Sequence, residues 1–251
     1  MSRKWNRIAD EHMWPFTRRL DTGVIERRRK THGLKVKQFA SVANQIGKFQ
    51  LAQLFDRCSA SLTCLDVDGE QTTLFELAPH LFEHRLQHLR HLRLYHIQLS
   101  EDDWPLLAAE FGPKLESLEL EKCHIVTTSA PDDNVLQLEM GLFSRVGRLL
   151  IEETYGQLQS GDETKLVGAS HPPNLMYYSL AYVEELWEWV RHAVVDCPRL
   201  RSLRINSEYA EPEDLTVAAE VLAQLNEGGL KELELVCYPP ISVRTMPIPL
   251  L

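Results

Sequence analysis

No run of the 251 residues comes near the roughly 18 consecutive apolar positions that a membrane-spanning helix needs. The first residues are basic and polar and contain no apolar core, so no secretory leader is expected. Cysteine is scarce and unpaired in pattern. The five residues, Cys58, Cys64, Cys123, Cys197 and Cys237, are odd in number and scattered, and none forms a C-x-x-C pair. That spacing argues for free thiols in a reducing compartment, cytosol or nucleus. The glycine-rich phosphate cradles and the strained nucleophile turn are also missing: there is no G-x-x-x-x-G-K-[ST], no G-x-G-x-x-G and no G-x-S-x-G. Carboxylates and histidines are plentiful, but no pair is placed by spacing into a dry pocket. The expectation is a non-enzymatic chain with no cofactor and no bound metal.

What is present is ordinary in amount and unusual in arrangement. Apolar residues are 44% and charged residues 25%, the balance of a globular protein with a large core. The charge is split along the chain. Residues 1–50 hold 12 Lys+Arg and 4 Asp+Glu, a net of +8, and the remainder holds 15 and 32, a net of −17. A basic head on an acidic body suggests two regions with different partners. The acidic body argues against a nucleic-acid surface there, because phosphates would be repelled.

The strongest signal is a repeat. The pattern apolar-x-x-apolar-x-apolar begins at Leu62 (LTCLDV), Leu89 (LRHLRL), Leu115 (LESLEL), Val146 (VGRLLI), Leu175 (LMYYSL), Leu200 (LRSLRI) and Leu230 (LKELEL). The intervals are 27, 26, 31, 29, 25 and 30 residues. The end of each hexad alternates apolar and polar positions, the period of a strand with one buried face. Between the hexads, LFELAPHLFEHRL (74–86), DWPLLAAEFG (103–112), VEELWEWVRHAVVDC (183–197) and PEDLTVAAEVLAQLNEG (212–228) space their apolar residues by three and four, as helices do. Asp103 and Pro212 mark helix starts, and Gly112 and Gly228 mark stops. Strand, helix, parallel strand, repeated, predicts an α/β right-handed solenoid with strands on the concave side and helices on the convex side.

Two stretches break the period. VTTSAPDDN (126–134) and TYGQLQSGDETKLVGASHPPN (154–174) are rich in Gly, Ser, Pro and Asp and read as loops leaving the solenoid. The tail YPPISVRTMPIPLL (238–251) has four prolines and no period, so no regular structure is expected beyond the last strand.

Over residues 60–238 the chain resembles the leucine-rich-repeat family, whose L-x-x-L-x-L hexads recur every 20–29 residues. The run LESLELEKC carries the fullest match, with Cys123 at the motif's cysteine/asparagine position. Other repeats lack that Cys or Asn. A degenerate repeat at LKVKQF (34–39), with KFQLAQLFDRC (48–58) as its return arm, would extend the array to 34–238.

The resemblance implies protein binding at the polar positions of the strands. These include Cys64, Asp66 and Asp68, then His91, Arg93 and Tyr95, then Ser117, Glu119 and Glu121. The series continues with Arg148, Glu152, Tyr177, Ser179, Ser202, Arg204, Asn206, Glu232 and Glu234. Tyr and Arg are favoured interface anchors.

The opening stretch SRKWNRIADEHMWPF resembles the C-terminal half of an F-box. It has a basic pair, Arg3-Lys4, then Trp5, Ile8-Ala9, an acidic turn at Asp10-Glu11, and Trp14. The Leu-Pro opening and first helices of that family do not precede it, so a truncated F-box is expected over residues 1–20, followed by a basic linker over 21–33. Joined to leucine-rich repeats, an F-box implies a substrate receptor of a Skp–cullin–F-box ubiquitin ligase. Trp5, Ile8 and Trp14 would face the Skp-type adaptor, and an unknown protein substrate would lie on the repeats. The alternatives are an amphipathic end cap in place of the F-box, and a stand-alone binding or inhibitor module without a ligase link.

Two weaker constellations have plainer readings. His80, His84 and His88 share a predicted helix face but lack a completing carboxylate or cysteine, so a solvated face accounts for them. ERRRKTHGLKVK (26–37) fits a solvated linker or a nuclear localisation signal.

Overall fold

The computed structural model describes residues 19–21, 62–73, 86–128, 135–183, 185–207, 223, 229–237 and 243–244. They form an α/β structure built on a mostly parallel sheet. Seven strands carry the seven hexads: β2 (Cys64–Thr73), β3 (His91–Ser100), β4 (Ser117–Glu121), β7 (Arg148–Glu152), β10 (Tyr177–Ala181), β11 (Ser202–Ser207) and β12 (Glu232–Cys237). They pair side by side in one parallel ladder.

The register is that of the repeat. Leu65, Leu92, Leu118, Leu149, Tyr178, Leu203 and Leu233 align across the sheet, and so do Val67, Leu94, Leu120, Ile151, Leu180, Ile205 and Leu235. Every member of both rows up to β11 is buried, and Leu233 and Leu235 pack against this core. The leading residues Leu62, Leu89, Leu115, Val146, Leu175 and Leu200 are buried as well. The fourth and sixth hexad positions enter the core because they share one side of the pleat, and the first position, two residues before each strand begins, is buried from the incoming turn.

Two short strands extend the ladder beyond the hexads. β1 (Arg19–Asp21) runs parallel to β2, pairing with Cys64–Asp66, so strand structure reaches into the junction between the expected helical segment and basic linker. At the other end β13 (Val243–Arg244) runs antiparallel to β12. The proline-rich tail therefore does carry regular structure: Val243 and Arg244, which no proline interrupts, supply pairing to the last strand.

The two predicted loops are corrected as well. Val126 and Thr127 belong to β5 (His124–Thr127), and residues 129–134 lie outside the described set. Most of 154–174 is a β-hairpin of β8 (Tyr155–Leu158) and β9 (Glu163–Ser170), turning at Gly161 with φ +97°. The composition signal came from that turn and from small residues needed for close packing. A Cβ on Gly156 would stand 2.6 Å from the Thr164 carbonyl oxygen, and one on Gly168 2.7 Å from the Trp189 ring. The end of β3 pairs with β5, β5 pairs with β8, and β9 pairs with β6 (Val135–Glu139), giving a second row of strands behind the first.

Helices α1 (Asp103–Phe111) and α2 (Leu186–Asp196) are where the apolar spacing places them. α1 buries Trp104, Leu107, Ala108 and Phe111, and α2 buries Leu186, Trp189, Val190 and Ala193. Both are i, i+3, i+4, i+7 stripes. The start of α1 is a reciprocal box rather than a cap by Asp103 alone: Ser100 N–H donates to Asp103 Oδ2 at 2.9 Å, and Asp103 N–H donates to Ser100 Oγ at 3.0 Å. Gly112 follows α1 with φ −50°, so its role is not a left-handed stop. A Cβ there would sit 2.4 Å from the carbonyl oxygens of Ala108 and Leu142, and glycine lets the turn Met140–Leu142 approach the helix end. The predicted helices over 74–85 and 212–228 fall outside the described residues apart from helical Ala223, as do residues 34–61.

One bend recurs. His96, Lys122, Glu153 and Tyr182, each one residue past the same ladder row, adopt left-handed backbone with φ between 44° and 53°. Lys122, Glu153 and Tyr182 then donate N–H bonds to the carbonyls of Glu152, Ala181 and Asn206 on the next strand. The bend repeats with the strands because the same ladder bond must be made at each turn.

Candidate functional site

Opposite the core, the ladder presents three rows of side chains. The first row runs Cys64, His91, Ser117, Arg148, Tyr177, Ser202, Glu232. The second runs Asp66, Arg93, Glu119, Leu150, Ser179, Arg204, Glu234, and the third Asp68, Tyr95, Glu121, Glu152, Ala181, Asn206, Val236. All of the expected binding residues from Asp66 to Glu234 therefore share one face by register. The side chains of Asp66 and Asp68 lie outside the described set, as do Trp5, Ile8 and Trp14.

The structure brings five of these residues into one network. Arg93 contacts Glu121 through Nη2, and its Nε lies 3.8 Å from Glu119 Oε2. Arg148 donates from Nε to Glu119 Oε1 at 3.3 Å, and its guanidinium lies over the Tyr177 ring at 4.6 Å. Glu119 is thus shared by two arginines from strands on either side of it. Arg204 and Glu234 form a separate pair at 3.4 Å, and Lys122 pairs with Glu153 at 3.5 Å while lying over Tyr95. Pairs this exposed add at most about 1 kcal/mol each to stability, so their significance is orientation. Burial raises the Glu152 carboxyl above its ordinary range, and the like charges of Glu121 and Glu153 add to that.

Several features of this face escaped the sequence. Ser117 and Ser179 stand at outward positions yet are buried, because longer neighbours close over them. Leu150 occupies the centre of the second row, half-buried among charged side chains. The fifth letter of VGRLLI carried that signal, but in an apolar hexad it blends with the core residues. Between β3 and β7 the face sinks into a cavity of about 470 Å³, lined by Cys64, His91, Arg93, Ser117, Glu119 and Arg148.

A second polar cluster runs from the half-buried Asp196 into the core. His171 Nε2 shares a hydrogen bond with the Tyr178 hydroxyl at 3.1 Å, and the His171 backbone N–H donates to Asp196 Oδ2 at 3.0 Å. Trp189 Nε1 donates to the Leu166 carbonyl at 2.8 Å, and His192 Nδ1 donates to the Gly168 carbonyl at 2.7 Å. Asp196, His171 and Tyr178 line up as an acid, an imidazole and a hydroxyl. Tyr178 is wholly buried and His171 is 3% exposed, so no substrate reaches them. Burial pushes His171 down to about 4 and the Cys197 thiol up to about 12. This cluster ties α2 to β9 and β10.

Among the described residues, Cys64, Cys123 and Cys197 are not joined in disulfides. Among the described residues no helix is long and apolar enough to cross a membrane. In comparison with known proteins, no family model, no curated protein and no solved structure matches the chain.

Proposed function

We propose that the chain is a protein-recognition module of leucine-rich-repeat type, a right-handed solenoid that binds its target on the concave strand face. The observation that carries this reading is the shared register of the seven hexads. It turns a one-dimensional repeat into a continuous face of Arg, Tyr, His and Glu supported by a leucine core. A surface of that kind supplies oriented charge and aromatic anchors, the usual means of protein recognition. We read its work as binding. The F-box-like stretch at residues 2–16 supports a place as substrate receptor of a Skp–cullin–F-box ubiquitin ligase in cytoplasm or nucleus. In that arrangement Trp5, Ile8 and Trp14 meet the adaptor.

Proximity labelling in cells tests both halves. The wild-type chain should enrich a defined protein set that is lost with Tyr177→Ala/Arg204→Ala, and a Skp-type adaptor that is lost with Trp5→Ala/Trp14→Ala. An adaptor signal that is absent, with the first set intact, supports the stand-alone binding module instead. A protein set indifferent to the face variant overturns the recognition reading.

A further inference from the structure

We infer that the segment a protein partner docks on the strand face is basic, and that one of its Lys or Arg side chains seats on Leu150 and Glu152 of β7. The inference rests on the recognition reading above and names the chemistry of the partner.

The arginines of the strand face are all engaged, and part of its acid is not. Among the described side chains of the three rows, three arginines stand against five glutamates, a net of −2. Arg93 lies between Glu119 and Glu121, Arg148 holds Glu119, and Arg204 holds Glu234. Glu152 and Glu232 form no ion pair with a described residue. Glu232 is exposed, so water screens it, whereas Glu152 is half-buried in the middle of the third row. Burial raises the Glu152 carboxyl, and Glu121 beside it on β4 and Glu153 next in the chain add to the rise. Arg204 and Lys122 pull the other way from a distance, but each already has its own glutamate. A cation brought to Glu152 by a partner offsets the desolvation and the like-charge repulsion together.

The surroundings favour a long side chain over a bare ion. On β10 the row neighbour of Glu152 is Ala181, whose methyl cannot pair with the carboxylate. Leu150 stands on the same face of β7, two residues before Glu152 and so about 7 Å along the strand, and it is only half-buried. A Lys or Arg laid along β7 rests its methylene stem on Leu150 and puts its charged head at Glu152. An acidic segment finds no such place, because every arginine in the rows already holds a glutamate.

The test is selection of a random dodecapeptide display library on the intact wild-type chain, with Glu152→Gln as counter-selection. Enriched peptides should share a Lys or Arg. Changing it to Gln, or changing Glu152→Gln in the protein, should each weaken binding by about tenfold or more. Glu163→Gln removes the same charge from the β8–β9 hairpin, away from the three rows, and should change nothing. Circular dichroism and melting of both variants should match wild type, which separates lost contact from lost fold. An equal loss in the two variants shows general attraction to an acidic chain and overturns the assignment to Glu152. Peptides that need Tyr177 and Arg204 but no basic residue overturn this inference and leave the recognition reading standing. Enrichment that appears only after Arg27, Arg28, Arg29 and Lys30 are changed to Gln shows the chain's own basic run on the face and overturns the assignment to a partner. Peptides indifferent to every face variant, or no enrichment with either chain, count against both readings.

Discussion

Cys123 and Thr154 make the same bond on neighbouring turns. Cys123 Sγ donates to the Leu94 carbonyl at 3.4 Å, and Thr154 Oγ1 donates to the Leu120 carbonyl at 3.4 Å. Each sits two residues past the third ladder row, each is buried, and each reaches one strand back. Each also reaches the carbonyl two residues before it, Glu121 at 3.5 Å and Glu152 at 3.0 Å, so its one proton bridges the bend to the preceding strand. Thr154→Val keeps the shape and removes the hydroxyl, so stability should fall by about 1–3 kcal/mol, measured as a lower urea midpoint with unchanged slope. An unchanged midpoint would show that the Leu120 carbonyl is satisfied without Thr154.

Leu118→Ala should cost about 2–5 kcal/mol, because Leu118 is wholly buried in the middle of the ladder and its neighbours in register cannot close the void. Equilibrium unfolding reads this directly. A variant as stable as wild type would mean that the third hexad is held in a different register.

Gly168→Ala should destabilise by about 1–3 kcal/mol, since its Cβ would meet the Trp189 indole at 2.7 Å and the His171 ring at 3.0 Å. Trp189 is wholly buried and held by its bond to the Leu166 carbonyl. The double variant Gly168→Ala/Trp189→Leu should lose less than the sum of its two single changes.

Acid should loosen the α2 side of the fold. The folded-state pKa of His171, about 4, lies below the ordinary value of 6.5, so the unfolded chain takes up the proton first. Stability is then full above about pH 6.5, falls as pH drops, and reaches its lowest contribution below about pH 4, a loss of the order of 3 kcal/mol. Desolvation is the main cause; Asp196 opposes it and His192 adds to it. Urea midpoints from pH 7.5 to 4 should show this slope, and His171→Gln should flatten it.

Thiol labelling of the folded chain should spare Cys123 and Cys197. Burial pushes both up to about 12, which leaves almost no thiolate at neutral pH, whereas Cys64 lies half-buried in the face cavity. Mass mapping after a brief maleimide pulse should place label on Cys64 well before either.

The sequence carried the ladder well, because leucine spacing and strand pleat share one arithmetic: Leu92, Leu118 and Leu149 could be aligned by counting alone. It carried the helices α1 and α2 for the same reason. It failed where packing rather than period decides. Gly156 and Gly168 looked like loop composition, yet they are strand residues pressed against a carbonyl and an indole. The face residues could be named, but not their company. Counting places Arg93, Glu119 and Arg148 on one side of the sheet, and only their neighbouring registers show that Glu119 is divided between two arginines. Arg93→Glu would set three carboxylates together with Glu119 and Glu121. Arg93→Gln is the cleaner probe of binding.

The left-handed bends at His96, Lys122, Glu153 and Tyr182 leave room for improvement in heat resistance. Side chains with a Cβ resist that conformation by about 1–2 kcal/mol, and asparagine or glycine tolerates it better. None of the four residues is buried, and all sit beyond the rows that form the binding face. Lys122→Asn and Glu153→Asn would relax backbone strain while keeping the N–H bonds to Glu152 and Ala181. Because the bend follows four neighbouring ladder strands, the gains accumulate along the array, set against the loss of the Lys122–Glu153 pair and of the Lys122 contact with the Tyr95 ring, and no core leucine is altered.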